Sequence, residues 1–293
     1  MSGRFGAVLT AMVTPFDSSG ALDLDVAKQL AQWLVDHGND GLVLAGTTGE
    51  SPVLTDEERL DLFRAVRETV NVPIIAGTGT NDTAHSVAMT KEAETIGVDA
   101  VLAVTPYYNR PSQSGLEAHF RAIAGATSLP VMLYDIPIRT GRKIKTGTLL
   151  RLVNEVPNIV AVKDAADNPA ETARLVAAAG EGLDLYSGDD KNTLPFLAVG
   201  CTGLVGVATH WCAAQAGEMI AAFEKGDVIR AREINAQLQE SWDFETSDET
   251  PNPIPAKAMM RALGIPVGEA RLPMGPAPEG LEERARQVLT NLA

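Results

Sequence analysis

Lys163 is the residue of this chain whose surroundings best suit covalent chemistry. It follows Ile159-Val160-Ala161-Val162, a run with no polar member. A lysine at the end of a buried apolar strand loses hydration, which lowers its pKa and raises the neutral, nucleophilic fraction. That is the requirement for a Schiff base with a carbonyl substrate. The residue equally admits a structural reading, as a lysine that snorkels to the surface or pairs with a carboxylate. Tyr134 closes another apolar run. A buried phenol with hydroxyl neighbours can pass protons, or can simply plug the end of the fold. The Thr47-Thr48-Gly49 turn offers hydroxyls and approachable backbone N–H groups for a carboxylate, or is an ordinary turn. Arg139 suits a bidentate grip on a carboxylate, or is a solvated loop charge. Taken together, an amine, a phenol, hydroxyls and a carboxylate clamp fit Schiff-base chemistry on a small keto acid. The set needs no cofactor. Cys201 and Cys212 match no zinc spacing, and the four histidines (37, 85, 119, 210) form no pair at ligand spacing, so no metal site is expected.

These residues need elements that deliver them to one place. Eight short apolar runs alternate with longer segments of helical period: 5–14, 40–46, 72–78, 99–106, 129–137, 158–165, 183–189 and 203–210. Continuous apolar runs suit strands buried on both faces of a parallel sheet. Helix starts are legible too. Thr55 with Glu58 reads as a capping box, and Ser114 with Glu117 repeats the device. Asn168-Pro169 with Glu171 gives a cap, a proline at the first helical position and an acid in the first turn. Helices end before Gly38, Gly97, Gly180 and Gly226. Eight βα units predict an α/β fold, a (β/α)8 TIM barrel over 1–225. A doubly wound open sheet is the alternative, but the loop after the first strand, TPFDSSG, lacks the expected glycine-rich pattern. Beyond about residue 225 the alternation stops. Segments 227–242, 253–263 and 279–291 then predict a C-terminal helical region over 226–293, packed on the barrel. In such a barrel the site lies at the C-terminal strand ends, which is where Thr47, Tyr108, Tyr134, Lys163 and Gly188 fall.

Composition bounds the partners. The chain has 293 residues, 45% of them apolar, and a net charge of −14 with a pI near 4.7. That balance opposes nonspecific binding to nucleic acid or to an acidic membrane, while leaving room for a small anionic substrate held by local donors. No run is long and apolar enough for a transmembrane helix, and the N-terminus does not read as a signal peptide. Two cysteines make no disulfide framework, so a reducing, cytoplasmic home is expected, with both thiols packed and inert.

The motifs GTTGES (46–51), TPYYNRPSQ (105–113), YDIPIRTG (134–141), AVKDA (161–165), SGDD (187–190) and NPIPAK (252–257) resemble, in this order and spacing, those of the dihydrodipicolinate synthases. These belong to the pyruvate-dependent class I aldolases. The resemblance runs from the first strand to RLPMGP near residue 276. It implies a lyase in which Lys163 forms an imine with pyruvate, whose enamine attacks L-aspartate 4-semialdehyde in the diaminopimelate and lysine route. It further implies a proton relay of Tyr134, Thr47 and Tyr108, with Tyr108 crossing a tight dimer interface. Thr48 would hold the pyruvate carboxylate and Arg139 that of the semialdehyde, with the backbones of Gly188 and Val205 lining the pocket. A homotetramer of two dimers is the family expectation. Arg139 and TPYYNRP favour this reading over the related sugar-acid aldolases, because a sugar-acid acceptor calls for hydroxyl partners rather than a carboxylate clamp. A catalytically silent keto-acid binder, the alternative of another class, would be expected to lose Lys163, Tyr134 or Thr47, and all three are present.

The chain departs from the family pattern at the positions that hold feedback lysine. Asp56, Arg59 and His85 stand where histidines and an acidic anchor are common, while Ser51, Asn81 and Tyr107 are kept. Weak or absent inhibition by lysine is the expectation. Asp135 and Ile138 also vary from the commonest pattern.

Overall fold

Eight apolar runs have no polar face to offer water, so they are stable only as strands covered on both sides. The computed structural model describes residues 3–180 and 182–292. Its strands are β1 (Val8–Ala11), β2 (Gly41–Leu44), β3 (Ile74–Gly77), β4 (Ala100–Val104), β5 (Val131–Asp135), β6 (Ile159–Asp164), β7 (Asp184–Ser187) and β8 (Gly203–Gly206). They form a closed barrel in sequence order, with parallel neighbours. Each lies inside its predicted run, and the doubly wound alternative falls. The strands are shorter than the runs because polar groups at the run ends serve the loops. Asp40, for example, accepts the Val8 N–H at 3.0 Å.

Packing divides the chain into two compact units. One holds the residues up to Ala7 and Pro73–Val205; the other holds Val8–Val72 and Gly206 onward. In the first, strands β3 to β7 and the start of β8 pair edge to edge. Tyr134 is in register with Lys163, and Asp135 with Asp164. The helix Pro169–Ala179 starts as predicted: the Asn168 side chain accepts the Glu171 N–H at 3.1 Å. The helix Gln113–Ala124 corrects its prediction. Ser112, not Ser114, is the cap: its Oγ accepts the Gly115 N–H at 3.1 Å from an extended backbone. Ser114 sits inside the first turn, its hydroxyl 3.0 Å from that of Ser112. Glu117 is then free to reach Arg121 and Arg151, both at 2.9 Å.

In the second unit the capping box forms. Thr55 Oγ1 accepts the Glu58 N–H, and Glu58 Oε2 accepts the Thr55 N–H at 2.9 Å. The three helices predicted after the last βα unit are Val228–Phe244, Ile254–Ala262 and Leu281–Leu292. Val228–Phe244 lies along Thr209–Glu224, with Phe244 edge-on to Trp211 at 6.1 Å, and Ile254–Ala262 packs on Leu281–Leu292. Among the described residues, no helix is long and apolar enough to cross a membrane.

Candidate active site

The alternation of side chains along β5 and β6 sorts four polar residues onto two faces. Asp135 and Asp164 are spent on the outer elements. Asp135 is 1% exposed; it takes the Lys143 ammonium at 3.0 Å and the Ile144 N–H at 3.1 Å. Burial nevertheless pushes its carboxyl up to about 6, against the pull of Lys143. Asp164 accepts the Thr172 hydroxyl at 2.6 Å and the Ala166 N–H at 3.0 Å. Both bonds bind β6 to the helix Pro169–Ala179 and the loop before it. Period-two alternation then turns Tyr134 and Lys163 to the opposite face, toward the barrel axis.

On that face the two form a pair. Both are 4% exposed, and Lys163 Nζ lies 4.5 Å from the centroid of the Tyr134 ring. An ammonium over a ring face is attracted to its quadrupole. Gly188 leaves room for the lysine stem. A Cβ there would stand 3.0 Å from Lys163 Cγ and 2.8 Å from Ala165 Cβ. The Gly188 N–H donates to Asp164 O at 2.7 Å, which fixes the glycine beside the strand end. Val205 is fully buried on β8.

Tyr108 and Arg139 lie at the surface. Tyr108 is 90% exposed and stands on a backbone of φ 74°, and Ile138, beside Arg139 in sequence, is 89% exposed. The loops that carry them are tied together: Arg110 donates to Gly141 O at 2.9 Å, and Arg142 to Arg110 O at 3.0 Å. Arg139 projects from the short helix Pro137–Thr140. A large aromatic held out on a strained backbone has no role in the core of its own chain.

The second unit presents Thr47 and Thr48 on the loop after β2. Thr47 is half-buried and Thr48 is 3% exposed. The loop is sharply bent. Ala45 and Glu50 both take left-handed backbones, φ 48° and 57°, a conformation costly for residues with a Cβ. It is held by its own bonds and from outside. Glu50 N–H donates to Thr47 O at 3.0 Å, and Thr14 Oγ1 to Gly49 O at 2.6 Å. Asn252 Nδ2 donates to Thr48 Oγ1 at 2.9 Å. Glu50 Oε1 meets Lys257 Nζ at 2.6 Å, and its Oε2 accepts the Arg271 N–H at 2.8 Å. Lys257 and Arg271 each lie 4.1 Å from the Phe16 ring centroid. Burial lowers Lys257 to about 8, with Glu50 opposing. GTTGES and NPIPAK by themselves assign no role to Glu50, Asn252 or Lys257. Their only signal is a buried-lysine motif whose partner lies some two hundred residues away.

Comparisons with known proteins follow the same lines. Residues 4–292 match the family model described as the dihydrodipicolinate synthetase family. A 4-hydroxy-tetrahydrodipicolinate synthase of Moorella thermoacetica is 48% identical over 288 residues, covering 98% of either chain. That of Acidothermus cellulolyticus is 52% identical over 92% of this chain and 87% of its own. Among solved structures, a dihydrodipicolinate synthase of Bacillus anthracis superposes with a TM-score of 0.94 at 43% identity, covering 99% of both chains. One from Cyanidioschyzon merolae, solved with lysine bound, gives 0.95 at 42% identity over 98% of both.

Proposed function

The chain belongs to the dihydrodipicolinate synthetase family, and from that premise we propose how its residues condense pyruvate with L-aspartate 4-semialdehyde. The reaction is that of a Schiff-base-forming lyase in diaminopimelate and lysine biosynthesis, yielding 4-hydroxy-tetrahydrodipicolinate. Lys163 Nζ attacks C2 of pyruvate and water leaves, giving an imine. Loss of a C3 proton converts it to the enamine. C3 then bonds to the aldehyde carbon, and the new alkoxide takes a proton. The substrate's own amine attacks the imine carbon, and the C–N bond to Lys163 breaks as the ring closes. Tyr134, Thr47 and Tyr108 carry the protons, Tyr108 in a neighbouring subunit's site. Thr48 holds the carboxylate of pyruvate, Arg139 that of the semialdehyde, and Gly188 and Val205 line the pocket. The assembly is a homotetramer in the cytoplasm, and its inhibition by lysine is weak or absent.

The observation that carries this reading is the buried Lys163 amine against the Tyr134 ring. An amine needs such a desolvated, proton-accessible place to act as a nucleophile. The exposed Tyr108 supports its use by a second subunit, and the absence of any ion-pair partner for Arg139 among the described residues leaves it available to a substrate carboxylate. The test is reductive trapping. Pyruvate with borohydride should leave a pyruvate-derived mass on the Lys163 peptide. Lys163→Ala should abolish both the adduct and turnover in a coupled assay with the two substrates. A folded wild type that takes no adduct would overturn the reading.

A further inference from the structure

The NPIPAK segment is a motif of this chain to which the reaction above gives no task. The structure brings it against the Thr47-Thr48 loop. Asn252 is 6% exposed and Thr48 3%, and Asn252 Nδ2 donates to Thr48 Oγ1 at 2.9 Å across 204 residues of sequence. A threonine hydroxyl has one proton and two lone pairs. The amide hydrogen occupies one lone pair, and the hydroxyl's own proton meets no acceptor among the described residues. A buried donor without a partner pays a desolvation cost, which a ligand that accepts its proton would recover.

We propose that Asn252 is a positioning residue for the condensation: by donating to Thr48 it fixes the hydroxyl rotor so that the Thr48 proton points to the carboxylate of pyruvate. The inference rests on the proposed role of Thr48. The surroundings explain why the pair holds its geometry. Asn252 is anchored by its own N–H to Thr246 Oγ1 at 3.2 Å. Five residues on, Lys257 grips Glu50 at 2.6 Å and Glu269 O at 3.0 Å. The loop that carries Thr48 thus has its left-handed Glu50 clamped by the same segment that orients the Thr48 hydroxyl. A bond that turns one donor toward an anion lowers the cost of binding that anion, because the rotor is ordered beforehand.

The test is a cycle of variants read in steady-state kinetics and in the pyruvate dependence of borohydride trapping. Thr48→Val should raise the KM for pyruvate about tenfold, the worth of one hydrogen bond to a charged group. Asn252→Ala should raise it several-fold, with the KM for the semialdehyde unchanged. Asn252→Asp should raise it more than Asn252→Ala, because a carboxylate takes the Thr48 proton for itself and turns a lone pair on the substrate. In the Thr48→Val background, neither change at 252 should add to the pyruvate KM. A merely structural asparagine would move melting temperature and kcat without this order. Full pyruvate affinity in Asn252→Asp, or additive effects in the double variants, would overturn the proposal. If Thr48→Val itself leaves the pyruvate KM unchanged, the reading of Thr48 fails first and is distinguishable. Asn252→Asp is nearly isosteric, so the cycle still decides where Asn252→Ala does not fold.

Discussion

A lysine becomes a nucleophile through what is absent around it, and Gly188 is the clearest case. Its missing side chain is the space that the Lys163 stem occupies, since a Cβ would fall 3.0 Å from Lys163 Cγ and 2.8 Å from Ala165 Cβ. Close-packed interiors absorb such an intrusion only by displacing a neighbour, at about 1–3 kcal/mol. Gly188→Ala is therefore expected to shift the Lys163 amine and lower the rate of borohydride trapping with pyruvate by at least tenfold, while the protein still folds. Trapping at the wild-type rate would show that the lysine tolerates the intrusion. Residue type and position made Lys163 and Tyr134 legible from sequence: each ends an apolar run at a strand's C-terminal end. The barrel rule puts Gly188 at a strand end, but its role is legible only through resemblance, because a glycine carries no chemistry of its own. Asn252 and the Lys257–Glu50 pair were legible as motif letters but not as partners. Nothing in either segment says that a loop after β2 will meet a helix start 204 residues later.

At the scale of elements, the sequence signals were strongest where the physics is local. All eight runs became strands and the three late helical segments became helices, because continuous apolar burial and 3.6-residue periodicity act within a few residues. The exception is the start of Gln113–Ala124. Ser112 and Ser114 both fit a cap, and the extended backbone at Ser112 chose the earlier one. Local capping also carries longer-range work at Asp56–Arg67. Glu58 serves the box through the Thr55 N–H and meets Arg271 at 2.6 Å; the Arg271 bond holds its carboxyl below the usual range. Thr55→Ala removes one half of the box and should cost about 1 kcal/mol in urea denaturation. Glu58→Ala removes the other half together with the Arg271 contact, so it should cost more than Thr55→Ala. Equal losses would mean that the part-buried Arg271 pair contributes nothing measurable there.

For the whole molecule, net charge and local titration pull in opposite directions as pH falls. The chain carries −14 at neutral pH with a pI near 4.7. Acidification toward that point removes self-repulsion and, by itself, favours the compact state. Two buried histidines oppose it. His210 donates from Nδ1 to Val207 O at 2.8 Å and accepts the Val13 N–H on Nε2 at 3.1 Å, so a second proton would set N–H against N–H. His119 keeps its Nε2 buried without a hydrogen-bond partner among the described residues. Burial lowers both to about 4. The unfolded chain, with histidines near 6.5, binds more protons than the folded one between those values. Stability contributed by each is thus present above 6.5 and lost as pH falls toward 4, on the order of 3 kcal/mol apiece. Asp135, raised to about 6, works with the opposite sign: the folded state takes its proton first, and stability rises as pH falls from 6 toward 4. Burial raises Asp189 as well, with the same sign as Asp135; the two histidines outweigh this pair, so the melting temperature should fall between pH 6.5 and 4 despite the shrinking net charge. Replacing His119 with Gln should flatten that decline, and Asp135→Asn should steepen it by removing the opposing contribution. A melting temperature that holds steady or climbs to pH 4.7 in the wild type would assign acid stability to the global charge instead of to the buried imidazoles.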